Sequence, residues 1–227
     1  GISRKAFARS PLVQRVFLQL PPPTLDNHLA DGERVQEMVT RQTGLCALQM
    51  GLQILRRLPA VLRENNFAVT ATIGRRGHTE EVLDVEGGDV SAHNYAAVAD
   101  VGTTTVVVHL VNLNDLSTLD AQACFNSQAV YGREVTARTV AAEKKGATPL
   151  QELVVGDVNR LISTLVTRNH IHLKDVNTIV CAGNTTMIHF LLGLPARNIR
   201  RHPYIAASVA PPAFRAVEVG LLRRGHA

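Results

Sequence analysis

Apolar residues recur along this chain with two different periods, and the changes of period mark out its elements. Residues 13–20 alternate and read as one strand, after which Pro21, Pro22 and Pro23 hold the backbone extended and forbid further pairing. Asp31 is placed to cap a helix running to about Gln42, with Val35, Met38 and Val39 on one face and Gly44 as its stop. A second helical stretch over 52–64 is expected to break at Pro59. Residues 67–73 and 78–85 alternate on either side of Gly74-Arg75-Arg76-Gly77, which predicts a hairpin closed by Gly87-Gly88. Residues 31–88 therefore read as a small α+β unit.

Beyond that glycine pair the texture changes. Residues 95–100 form a short buried strand, 104–113 a second strand rich in β-branched residues, and 118–125 a third after an Asn114-Asp115 turn. Helices follow over 133–143 and 150–169, the second carrying Leu153, Val154, Val158, Leu161, Ile162 and Leu165 at helical spacing. The run 178–182, apolar from Ile179 to Ala182, predicts a central parallel strand, and 184–192 a helix after it. The order is that of a mixed α/β unit with one hairpin-built edge.

Composition narrows the function classes. Across 227 residues, 45% are hydrophobic and 19% charged, enough for real cores and too apolar for a disordered chain. The net charge of +5 is scattered in pairs (Arg56-Arg57, Arg75-Arg76, Lys144-Lys145, Arg200-Arg201, Arg223-Arg224) with few aromatics between them. A nucleic-acid surface concentrates its charge in one stripe, so no nucleic-acid partner is expected. Cys46, Cys124 and Cys181 show no zinc or iron–sulfur spacing and read as buried reduced thiols. No charged-then-apolar leader opens the chain and no apolar run approaches a membrane span, so the expectation is a cytoplasmic protein without a membrane partner.

One segment carries recognisable chemistry. Asp100 ends a strand, and Gly102-Thr103-Thr104-Thr105 turns the chain into the next. Glycine permits a tight turn, the following amides and hydroxyls can face phosphate oxygens, and Asp100 can hold a hydrated Mg2+. No GxxxxGK[ST] is present, so this is not a P-loop. Read blandly, it is a hairpin whose threonines serve β-propensity. Gly183, Asn184 and Thr185 follow a strand and open a helix, where backbone amides suit an anion and Asn or Thr equally suits a cap. Asn126, Gln128, Tyr131 and Gly132 form a polar loop. His189 reads as structural, His170 and His172 as a poor metal pair, and Glu134 and Glu143 as solvated partners of Arg138 and the lysines.

The segment from Ala99 to Thr105 resembles the first phosphate motif of the superfamily of actin, sugar kinases, acetate kinase and heat-shock chaperone ATPases. More narrowly, several stretches resemble the ATP-dependent reductive activators of corrinoid proteins. They are Ser10-Pro11-Leu12-Val13 with the run from Leu18 to Thr24, Ala99 to Thr105, Asn126 to Gly132, Gly183-Asn184-Thr185-Thr186-Met187 with Leu191-Leu192-Gly193-Leu194, and His202-Pro203-Tyr204. The resemblance implies a linker over 1–30, a small α+β middle domain over 31–90 and, from 94 to 227, the first part of an actin-like (ribonuclease H-like) ATPase domain. It further implies ATP and Mg2+ as ligands, with Asp100, Gly102, Thr103, Thr104, Thr105, Gly183, Asn184 and Thr185 as the residues that bind them. The partner would be the corrinoid protein of a methyltransferase system, whose Co(II) is reduced to Co(I), and a homodimer is possible.

Two departures from the family pattern bear on this expectation. The chain lacks the cysteines of a plant-type [2Fe–2S] domain, which the full-length family carries, and it ends at Ala227 before a second phosphate motif. The expectation is thus a fragment, inactive alone. A small-molecule kinase of the same superfamily, or a non-catalytic docking or dimerisation module, are the alternatives. Nucleotide affinity separates the first two readings from the third.

Overall fold

A computed structural model describes residues 11–45, 48–77 and 79–222. Ser10, Cys46, His78, Arg223 and Arg224, which figure in the sequence reading, lie outside the described residues. The chain divides into two units, 1–94 and 95–227. No described helix is long and apolar enough to cross a membrane.

The first unit contains β1 (Val13–Gln19), α1 (Asp31–Thr43), β2 (Leu48–Met50), α2 (Leu52–Glu64), β3 (Ala68–Arg76) and β4 (Thr79–Gly87), with strand order β1-β3-β4-β2. Val35 and Val39 of α1 and Ile54, Leu58 and Leu62 of α2 pack on Val69, Ala71, Ile73, Val82 and Val85 of the sheet. Each such side chain taken fully from water contributes about 1.5–3 kcal/mol before the entropy of ordering is charged against it. Arg15 and Glu86 pair on β1 and β4, and Arg15 also donates to the carbonyls of Val90 (3.4 Å) and His93 (2.7 Å). The Arg34 guanidinium, buried on α1, donates to the Pro21 and Leu29 carbonyls at 2.8 Å each. The proline segment is therefore laid onto the helix.

The strand expected over 13–20 is present, as β1 at one edge of the described sheet, antiparallel to β3. Several local expectations differ from what the tertiary structure shows. Ala30, not Asp31, occupies the cap position of α1, and the Asp31 carboxylate instead accepts from Arg63 at 2.7 Å. Helix α2 runs through Pro59 without a break, because Ile54, Leu58 and Leu62 on its buried side outweigh one missing backbone hydrogen bond. Gly74 lies inside β3, and the turn follows at Gly77, with φ of 63°.

The second unit contains β5 (Tyr95–Val101), β6 (Thr105–Asn112), β7 (Thr118–Phe125), α3 (Val135–Lys145), α4 (Thr148–Arg168), β8 (Val176–Gly183), α5 (Thr185–Leu192) and α6 (Ala216–Val219). Its sheet order is β7-β6-β5-β8: a three-stranded antiparallel meander with β8 added parallel to β5 after the helical crossover. This is the ribonuclease H-like arrangement with which actin-like ATPase domains open. The α4 stripe of Leu150, Val154, Val158, Leu161, Ile162 and Leu165 covers Ala97, Ala99, Val106, Val108 and Leu110. The strand expected to be central, β8, takes one edge of the described sheet, where Val180 is 37% exposed. An apolar run shows that a strand is covered; which neighbours it pairs with is a long-range matter.

Candidate functional site

The β5–β8 register builds the site. Asp100 lies beside Ala182 and Val101 beside Gly183, so both parallel strands end together and their outgoing loops are neighbours. One loop is residues 102–104; the other leads through Asn184 into α5. Gly102 closes the first loop, its N–H donating to the Thr105 carbonyl at 3.0 Å. A Cβ on Gly102 would stand 2.6 Å from that same oxygen, and a Cβ on Gly183 would stand 2.8 Å from the Val101 carbonyl oxygen. Both glycines are required by close backbone approach.

Every carbonyl of the 102–104 loop accepts a hydrogen bond from Asn126 or Arg138. Asn126 Nδ2 donates to the Gly102 carbonyl at 2.9 Å, Arg138 Nη2 to that of Thr103 at 2.8 Å, and the Asn126 N–H to that of Thr104 at 2.9 Å. A trans peptide points its N–H opposite to its C=O. Each N–H of Thr103, Thr104 and Thr105 therefore points away from the Asn126 or Arg138 group that holds the carbonyl of its own peptide.

Asn184 takes the capping role, one of the two left open for it by the sequence, and also reaches the first loop. Its Oδ1 accepts from the Met187 N–H at 3.0 Å, capping α5, while its Nδ2 reaches the Thr103 hydroxyl at 3.4 Å. The helix start and the loop are joined across 81 residues of sequence. Asp100, Thr104, Gly183, Asn184 and Thr185 are exposed and Gly102, Thr103 and Thr105 half-buried, so the whole set is reachable from solvent. One exposed carboxylate beside a row of donors fits Mg2+, which keeps most of its waters and takes further oxygens from a phosphate.

Two residues important to this geometry were assigned elsewhere by the sequence. Asn126, read as part of a polar loop, is 1% exposed and also caps the short 3-10 helix Ser127–Tyr131 by accepting from Gln128 N–H at 2.9 Å. Arg138, read as the partner of a helical glutamate, is 1% exposed and, among the described residues, donates to neutral acceptors. Its signal was positional: it shares the apolar side of α3 with Val135 and Ala142, where a solvated arginine would not stand. Glu143 pairs instead with Arg200 (3.1 Å) and Arg201 (2.9 Å).

The remaining candidates take structural places. His189 is fully buried, with Nδ1 at 2.7 Å from the Thr185 carbonyl and Nε2 accepting from the Ala207 N–H at 3.1 Å. Among the described residues no group of three or more His, Cys, Asp or Glu could hold a metal. Cys124 and Cys181 are free and half-buried rather than fully buried, and burial pushes the Cys181 thiol up to about 11. They stand on β7 and β8, at opposite edges of the described sheet. With three cysteines in the chain, the residues present do not fit a four-cysteine [2Fe–2S] cluster.

Comparison with known proteins gives consistent matches. The RACo linker region matches residues 2–92 and the RACo middle region residues 95–227. The corrinoid activation enzyme RamQ of Eubacterium limosum is 26% identical over 113 residues, covering 49% of this chain and 19% of that protein. A solved reductive activator for a corrinoid, iron-sulfur protein superposes with a TM-score of 0.88 at 33% identity, covering 96% of this chain and 35% of that one. The chain thus spans about a third of the solved relative and about a fifth of the curated one.

Proposed function

The chain belongs to the RACo family, and from that premise we propose that it is the part of an ATP-dependent corrinoid activator that supplies the first phosphate-binding loop. The whole activator would return a Co(II) corrinoid to Co(I) by adding one electron, and the corrinoid protein would be the partner. The observation that carries the reading is the 102–104 loop, whose three carbonyls are all hydrogen-bonded to Asn126 and Arg138.

In this reading the threonine N–H and hydroxyl groups bind the phosphate oxygens, and Asp100 orients the water shell of Mg2+. Asn184 fixes Thr103 and brings the α5 start alongside. The work done is positioning and charge stabilisation, which is what nucleoside triphosphate chemistry mostly asks of a protein. The electron would enter from a donor that these residues do not hold.

Calorimetry with Mg-ATP on the full-length chain tests the proposal. Binding that is lost or weakened at least about tenfold in Asp100→Ala supports it, since a tenfold change is about 1.4 kcal/mol and one charge-assisted contact is worth that much. Absence of Mg-ATP binding in the wild-type protein would remove the ATPase reading and favour a docking or dimerisation module. Binding of Mg-ATP with transfer of phosphate to a small hydroxylated acceptor would favour the kinase alternative.

A further inference from the structure

Arg138 lies under the loop as a buried cation whose four protein acceptors are uncharged: the carbonyls of Gly132 (2.8 Å) and Thr103 (2.8 Å), Gln128 Oε1 (3.4 Å) and Met187 Sδ (3.8 Å). Burial of a guanidinium is costly unless it is paired, and an arginine keeps its charge where a lysine would shed it. Burial does pull the Arg138 pKa below its usual value, as an uncompensated interior charge requires.

The position of one contact gives this charge a use. Arg138 Nη2 donates to the Thr103 carbonyl, and the Thr104 N–H is on the opposite edge of that same peptide plane. A cation on the carbonyl polarises the peptide and makes its N–H a stronger donor. The positive end of the relay is therefore the N–H of Thr104, a residue exposed to solvent. An anion seated there would supply the missing countercharge from across one peptide group.

We propose that Arg138 is a positioning residue that charges the 102–105 loop from within, acting through the Thr103–Thr104 peptide to favour ligands carrying several negative charges, a polyphosphate rather than a single phosphate. The inference rests on the phosphate-loop reading and assigns that site its preference for highly charged ligands. Asn126 fixes the two flanking carbonyls without charge, so the loop has a shape-holding residue and a separate charge-giving one.

The test uses orthophosphate, pyrophosphate and tripolyphosphate with Mg2+, titrated into the full-length wild type, Arg138→Met and Arg138→Lys. The expected result is a loss in Arg138→Met that grows along the series, reaching at least about tenfold for tripolyphosphate. Arg138→Lys, which keeps a charge but not the fork, should lose less. The Thr104 amide proton should move upfield in both ligand-free variants. Equal loss for all three anions would mark Arg138 as merely structural and overturn the proposal, as would unchanged affinity in both variants. Should Arg138→Met fail to fold, the Thr104 resonance of Arg138→Lys decides, an unmoved proton overturning the idea. A wild type that binds none of the three anions would instead bring down the phosphate-loop reading itself.

Discussion

Replacing Gly102 by alanine perturbs the site at its narrowest point. The new Cβ would lie 2.6 Å from the Thr105 carbonyl oxygen, a separation that must be relieved. That oxygen is backbone and accepts the Gly102 N–H at 3.0 Å, so no side chain can swing aside. The hairpin must open at its closing hydrogen bond, worth about 0.5–1.5 kcal/mol net, and forced backbone shifts of this sort cost about 1–3 kcal/mol. The expected loss is about 2 kcal/mol. With a urea m-value of about 2 kcal/mol/M, the midpoint falls by about 1 M.

Gly156→Ala is the matched control. Gly156 is in the middle of α4 and a Cβ there meets nothing within 4 Å. The same methyl should stabilise by about 0.5–1 kcal/mol through helix propensity. Urea unfolding followed at the amide resonances of β5 and β6 reports the second unit, and a pyrophosphate titration reports the loop. Opposite shifts in the two variants, with binding lost only in Gly102→Ala, are expected. A Gly102→Ala protein with an unchanged midpoint and unchanged pyrophosphate affinity would refute the reasoning.

Two further outcomes are expected. Asp120 accepts from Arg168 (2.7 Å) and Asn169 (2.8 Å), and the Arg168 hydrogen bond first, then that of Asn169, hold its pKa down to about 2 from 3.8. Because the folded-state value is the lower one, the contribution is fully present above about pH 4 and disappears as pH falls toward 2; carboxyl NMR titration with a midpoint near 4 would contradict it. Pro59 is exposed within α2, so Pro59→Ala should add a backbone donor for the Leu55 carbonyl and stabilise the first unit by about 1–3 kcal/mol, and thermal unfolding at or below the wild-type temperature would contradict this.

The sequence by itself determined the local elements and the chemistry of one loop. The β5–β6 hairpin, the stripe along α4 and the Gly44 stop of α1 follow from period and turn residues, which act over a few positions. So does the motif from Asp100 to Thr105, whose residue types are legible without their neighbours. The RACo kinship was likewise carried by short stretches spread along the chain. The three-residue β2 was invisible because it is too short to display a period, and it exists only as the parallel neighbour of β4. The unbroken α2 was decided by the core beneath it, which outweighed the proline.

What surrounds the motif was settled only by tertiary contact. Asn126 and Arg138 are 24 and 35 residues from the carbonyls they hold, and Asn184 is 81 from the threonine it meets. A buried cation with neutral partners cannot be told from a solvated one by its letter in the sequence. Burial and the choice of acceptor are properties of the packed unit, and they arise only when the sheet brings β5 and β8 together.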